Sequence, residues 1–164
     1  MKSLSIILAA VTVITLSGCG KDKENQAAIA QKLTGKIAGE PWTHQFGVVR
    51  RKIGSGSYSI TLHNLPDGGD PCTATYVPGQ PLLMVSFSVK DLTAGDYDVS
   101  PGTGSSIYLT RAVDSNGGFS AASTGAFGEA RLTKVDTASV EGQLDVKANN
   151  SNFVKGTFTA KICK

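Results

Sequence analysis

What most restricts the fold of this chain is a period of two in its apolar side chains. Val154, Phe158, Ala160 and Ile162 alternate with Lys155, Thr157, Thr159 and Lys161, and Gly156 falls in the apolar phase. Val140, Leu144 and Val146 alternate with Glu141, Gln143, Asp145 and Lys147, with Gly142 in the apolar phase. The same alternation carries Tyr58, Ile60 and Leu62, then Leu83, Val85, Phe87 and Val89, then Ile107 and Leu109. Successive side chains of a strand point to opposite faces, so each segment predicts a strand with one face in a core and one in water. A helical repeat of 3.6 residues accounts for none of them.

Turn chemistry separates these segments. Asn116-Gly117-Gly118 suits a hairpin that needs positive φ, and Asn149-Asn150-Ser151-Asn152 divides the last two strands. Pro66-Asp67-Gly68-Gly69-Asp70-Pro71, Pro78-Gly79-Gln80-Pro81 and Pro101-Gly102-Thr103-Gly104 read as loops. Nineteen glycines in 164 residues fit many short strands. The expectation is an all-β fold, a single antiparallel β-sandwich or β-barrel of about 8–10 short strands. Either closure satisfies the pattern.

The amino-terminal region is of another kind. Met1-Lys2 precedes a 13-residue, mostly apolar run from Leu4 to Leu16, broken by Ser5, Thr12 and Thr15. It is too short for a permanent membrane span and reads as a secretory signal. Leu16-Ser17-Gly18-Cys19 then resembles the lipobox of bacterial lipoproteins. The resemblance implies that residues 1–18 are removed and that Cys19 carries a thioether-linked diacylglycerol. It also implies an amino group acylated by a fatty acid such as palmitate. One chain holds a protein to a membrane only marginally, whereas two or three hold it stably. Gly20 stands where many lipoproteins kept at the inner membrane carry aspartate. The implied location is the cell envelope, and the outer membrane if the cell is Gram-negative. Residues 19–32 then form an acylated cysteine with a flexible tether, and residues 33–164 the β domain.

Removing residues 1–18 takes away Lys2 and lowers the formal charge from +3 to +2. That is too near neutrality to draw nucleic acid as a partner. With Cys19 taken by lipid, Cys72 and Cys163 remain, and an even number in an exported protein reads as one disulfide.

Few residues suggest chemistry. Trp42, the only tryptophan, follows Gly39-Glu40-Pro41 and is expected to plug one end of a barrel from the first strand. An early tryptophan with a late disulfide resembles lipocalins, although their Gly-x-Trp is replaced here. That resemblance implies a carrier of a small apolar ligand, with space left at Gly142, Ala148, Gly156 and Ala160. His44 and His63 are the only histidines. Two ligands are too few for a closed zinc site, and no metal site is expected. Asp67, Asp70, Asp96 and Asp98 lack the pattern of a calcium loop and read as turn residues. No Gly-x-Ser-x-Gly is present, and Gly102-Thr103-Gly104-Ser105 lacks the lysine of a phosphate loop. No catalytic residue and no cofactor are expected. Arg50-Arg51-Lys52 reads as a solvated strand end, with lipid headgroups or an acidic partner as the functional alternative.

The whole chain resembles small β-rich envelope lipoproteins. That likeness implies a non-enzymatic binding or structural module whose partner is an envelope protein, a glycan or a small ligand. The alternatives are the lipocalin-like carrier and an inhibitor of a hydrolase, acting through a loop such as residues 66–71.

Overall fold

The computed structural model describes residues 31–65, 70–73, 80–99, 106–115 and 118–164. The lipobox, Cys19 and most of the expected tether lie outside these residues, as does most of the loop at 66–71.

No helix occurs among the described residues. Ten strands do: β1 (Thr34–Ile37), β2 (Glu40–Thr43), β3 (Phe46–Arg51), β4 (Tyr58–His63), β5 (Leu82–Val89), β6 (Gly95–Asp98), β7 (Ile107–Ser115), β8 (Gly118–Val135), β9 (Ser139–Asn149) and β10 (Asn152–Ile162). Hydrogen bonding runs β10-β3-β4-β5-β7-β8-β9 and returns to β10, closing a seven-stranded barrel. The chain therefore resolves the choice between sandwich and barrel in favour of the barrel. The β1–β2 hairpin adds to β10, and β6 adds to β8. All pairings between strands are antiparallel except that of β10 with β3.

The alternating segments become β4, β5, β9, β10 and the first half of β7, with their apolar phase turned inward. Val49, Ile60, Leu62, Val85, Phe87, Leu109, Leu132, Val140, Leu144, Val146, Val154 and Phe158 form one buried cluster. Burying one such side chain stabilises the fold by roughly 1.5–3 kcal/mol. Phe158 meets Phe87 edge-on, with ring centroids 6.1 Å apart. A Cβ at Gly142 would lie 2.5 Å from the Phe158 ring, so that ring fills the position expected to be empty. Ala160 is buried against the Gly47 backbone, and Gly156 against residues 31–33. Ala148 corrects the sequence reading, because it is exposed. The β9–β10 register shifts between Asn152 and Phe153, which pair with Asn149 and Lys147. Ala148 is the extra residue between them, out of the inward phase.

The β1–β2 hairpin turns through Ala38 (φ 51°) and Gly39 (φ 80°), the two positive values that a tight hairpin of this hand requires. Asn152 Oδ1 accepts the Ala38 N–H at 2.9 Å. The hairpin places Trp42 in the core, where its indole N–H donates to the Leu83 carbonyl at 3.0 Å. Glu40 pairs with Arg111 of β7 at 2.7 Å. These contacts fasten β2, the second strand rather than the first that the sequence suggested for Trp42, to β5 and β7, which it does not pair with in the sheet.

Cys72 and Cys163 form a disulfide across 91 residues. The segment around Cys72 lies against the junction of β10 and β3. Arg50 donates to the Cys72 carbonyl at 2.8 Å, and Lys161 pairs with Asp70 at 3.0 Å.

Candidate functional site

β6 and the three consecutive strands β8, β9 and β10 present their polar phases side by side. Cross-strand register aligns Asp98 of β6, Glu129 of β8, Asp145 of β9 and Lys155 of β10 in one transverse row. The next row is Asp96, Arg131, Gln143 and Thr157. The intervening Ala130, Leu132 and Leu144 point into the core, so both rows lie on the outer wall. Lys155 pairs with Asp145 at 2.6 Å and Arg131 with Asp96 at 3.4 Å.

The wall is hollowed here. The residues of the two rows other than Thr157, with Tyr97, Gly128 and Gly156, line a cleft of about 620 Å³, within the size range of small-ligand sites. Gly128 has φ 146°, and a side chain there would collide with the Asp145 carbonyl. Only glycine lets β8 approach β9 this closely while bending. Tyr97 fixes the short β6, since its phenol donates to the Thr93 carbonyl at 2.6 Å. Asp96, Asp98, Glu129 and Asp145 outnumber Arg131 and Lys155, so the lining carries a formal charge of −2.

One further feature adjoins the cleft. Phe127 precedes Gly128 and is 38% exposed, and Tyr108 is 47% exposed. Tyr108 is the register partner of Gly125, and the tip of the Phe127 ring lies 4.0 Å from where a Gly125 Cβ would be. The two rings therefore flank a bare stretch of backbone beside the cleft.

The histidines occupy a different region. His44 is buried beside Trp42 and Phe158, and its Nε2 lies 3.1 Å from the Thr159 carbonyl. A carbonyl only accepts, so Nε2 holds the proton and Nδ1 is bare. His63 stacks on Phe46 at 4.9 Å. Neither Nδ1 has a hydrogen-bond partner among the described residues. Burial lowers the pKa of His44 to about 4, against the opposing hydrogen bond to Thr159 and with help from Lys32. Burial likewise lowers His63 to about 4, with the charges of His44 and Arg50 adding to it. Both rings are neutral at pH 7.

The acids weighed as a calcium loop are not brought together. Asp70 accepts the Cys72 N–H at 3.0 Å and pairs with Lys161, and both contacts hold its carboxyl below the usual range. Asp96 and Asp98 stand in the cleft, and Asp67 is outside the described residues. No cluster of three or more His, Cys, Asp or Glu able to hold a metal occurs among the described residues. Arg50 and Arg51 end β3, and Arg50 is engaged with Cys72.

Comparison of the chain with family models, with curated proteins and with solved structures finds no match. The cleft must be read from its own chemistry. The sequence reading placed Gln143, Asp145 and Lys155 on a solvent face and passed over Glu129, Arg131 and Phe127. One signal was available: Tyr108 sits in the polar phase of its strand, where a large ring has no core to fill.

Proposed function

We propose that this protein is a non-enzymatic binding module of the cell envelope, anchored by lipid on Cys19, that takes its partner in the outer cleft. The observation that carries the reading is the contrast between the barrel's two faces. Phe87, Phe158 and Trp42 pack the inside, while Asp98, Glu129, Asp145 and Lys155 line a hollow in the wall outside. Polar side chains held on strands offer a rigid array, and the anchor concentrates it at a membrane.

Two experiments test the two halves. Cys19→Ser should release the protein from membranes, and continued fractionation with membranes refutes the anchor. A photo-crosslinking residue at Gln143 of the full chain should capture its partner in intact cells, whereas the same residue at Tyr58 should not. Equal labelling from both positions refutes the cleft. A lipocalin-like carrier is the second reading, favoured by the closed barrel itself. It requires the Phe158 ring to leave Gly142 when a ligand enters.

A further inference from the structure

From the exposed rings beside the cleft we infer that the ligand is a short, uncharged oligosaccharide, an inference that rests on the cleft being the binding site. A sugar ring has an apolar face of C–H groups and an edge of hydroxyls. It needs an aromatic surface for the one and a dense set of donors and acceptors for the other. The outer wall supplies both, side by side. Phe127 and Tyr108 lie beside Gly125, whose missing side chain lets the tip of the Phe127 ring reach over bare backbone toward the β7 side. Phe127 shares the outward phase of β8 with Glu129 and Arg131, so the aromatic surface runs directly into the polar rows.

The polar groups suit hydroxyls. A carboxylate accepts from two neighbouring hydroxyls, and a guanidinium or amide donates in a fork to adjacent oxygens. Glu129, Arg131 and Gln143 offer all three on neighbouring strands. The formal charge of −2 selects against phosphorylated and carboxylated ligands. An apolar ligand would strip water from these charged groups and return no hydrogen bond for it, which is costly. From Tyr108 on β7 to Lys155 on β10 is three strand spacings across the wall and four residues along β8, roughly 19 Å on the diagonal, ample room for a trisaccharide.

The test is calorimetric titration of the full chain, in detergent, with neutral trisaccharides of different linkage and with a sulfated trisaccharide. A neutral trisaccharide should bind, and the sulfated one should bind at least tenfold more weakly. Phe127→Ala and Tyr108→Ala should each lower affinity by roughly tenfold. Both variants should still unfold in one cooperative thermal transition with at most a modest fall in melting temperature, because both rings are only partly covered. Ile53→Ser, at a fully exposed tip between β3 and β4, should change nothing. Tighter binding of the sulfated sugar overturns the inference, and so does affinity indifferent to both rings. If no trisaccharide binds but the Gln143 crosslinker captures a partner, the oligosaccharide fails and the cleft stands. If neither occurs, both fail.

Discussion

The barrel is held shut in two contrasting ways. Along the β8–β9–β10 wall, consecutive strands pair antiparallel through long ladders, with β9 and β10 in one register from Phe153↔Lys147 to Lys161↔Ser139. Across the β10–β3 seam, segments more than 100 residues apart meet in parallel over only Lys161↔Val48 and Ile162↔Val49. The wall needs short loops and a hydrophobic face. The seam must overcome the entropy of joining distant segments with few ladder bonds. The seam is reinforced beyond those two pairs by the Cys163 N–H on the Val49 carbonyl at 2.9 Å, the Cys72–Cys163 bond, Arg50 on the Cys72 carbonyl, and Lys161 on Asp70. Where closure is local, hydrogen bonds and packing suffice. Where it is distant, this chain adds a covalent tie.

The largest expected effect breaks the seam. The double replacement Cys72→Ser, Cys163→Ser should lower unfolding free energy by about 4–5 kcal/mol on the loop-entropy account. Chemical denaturation measures it. Amide exchange in the variant should rise first at Val48, Val49 and Ile162 and last in β9. Uniform acceleration would mean that the two regions open as one.

Acid should act on the seam side as well, because His44 touches Thr159 of β10 and His63 pairs with Phe46 of β3. Both folded pKa values, about 4, lie below the unfolded value of 6.5. The unfolded state therefore binds more protons between those pH values. Stability is fully present above pH 6.5 and declines as pH falls through 4, by up to ~3 kcal/mol for each ring. Thermal unfolding from pH 7 to pH 4 should show this slope, and His44→Gln should remove about half of it. An unchanged slope in that variant would assign the acid sensitivity elsewhere.

Gly142→Ala probes the wall. The added methyl meets the Phe158 ring and the Arg131 carbonyl, and should cost about 1–3 kcal/mol with the disulfide intact. Lys161→Ala should have the smallest effect, a slight fall in melting temperature that vanishes at high salt, as expected of an exposed pair.

The sequence exposed the strands that bury one face and hid those that do not. β4, β5, β9 and β10 alternate cleanly because water bathes their outer sides. β3 shows no alternation, since Phe46, Gly47, Val48 and Val49 are buried on both faces. β8, the longest strand, escaped notice because alanines and Thr124 stand where large apolar residues would mark its inward phase. The disulfide was legible once the lipobox reading set Cys19 apart from Cys72 and Cys163, and the burial of Trp42 from its isolation and size. The cleft was not legible. Asp98, Glu129, Asp145 and Lys155 become neighbours only through register, and no local pattern encodes which strands will lie side by side.

The position of β10 also governs timing. It is the last of the ten described strands in chain order, yet it borders β1, β3 and β9. Until the ribosome has released Ile162, the first hairpin has no sheet to join and the ring has a missing stave. A nascent chain so arranged cannot close its ring before β10 is complete, so closure must follow synthesis rather than accompany it.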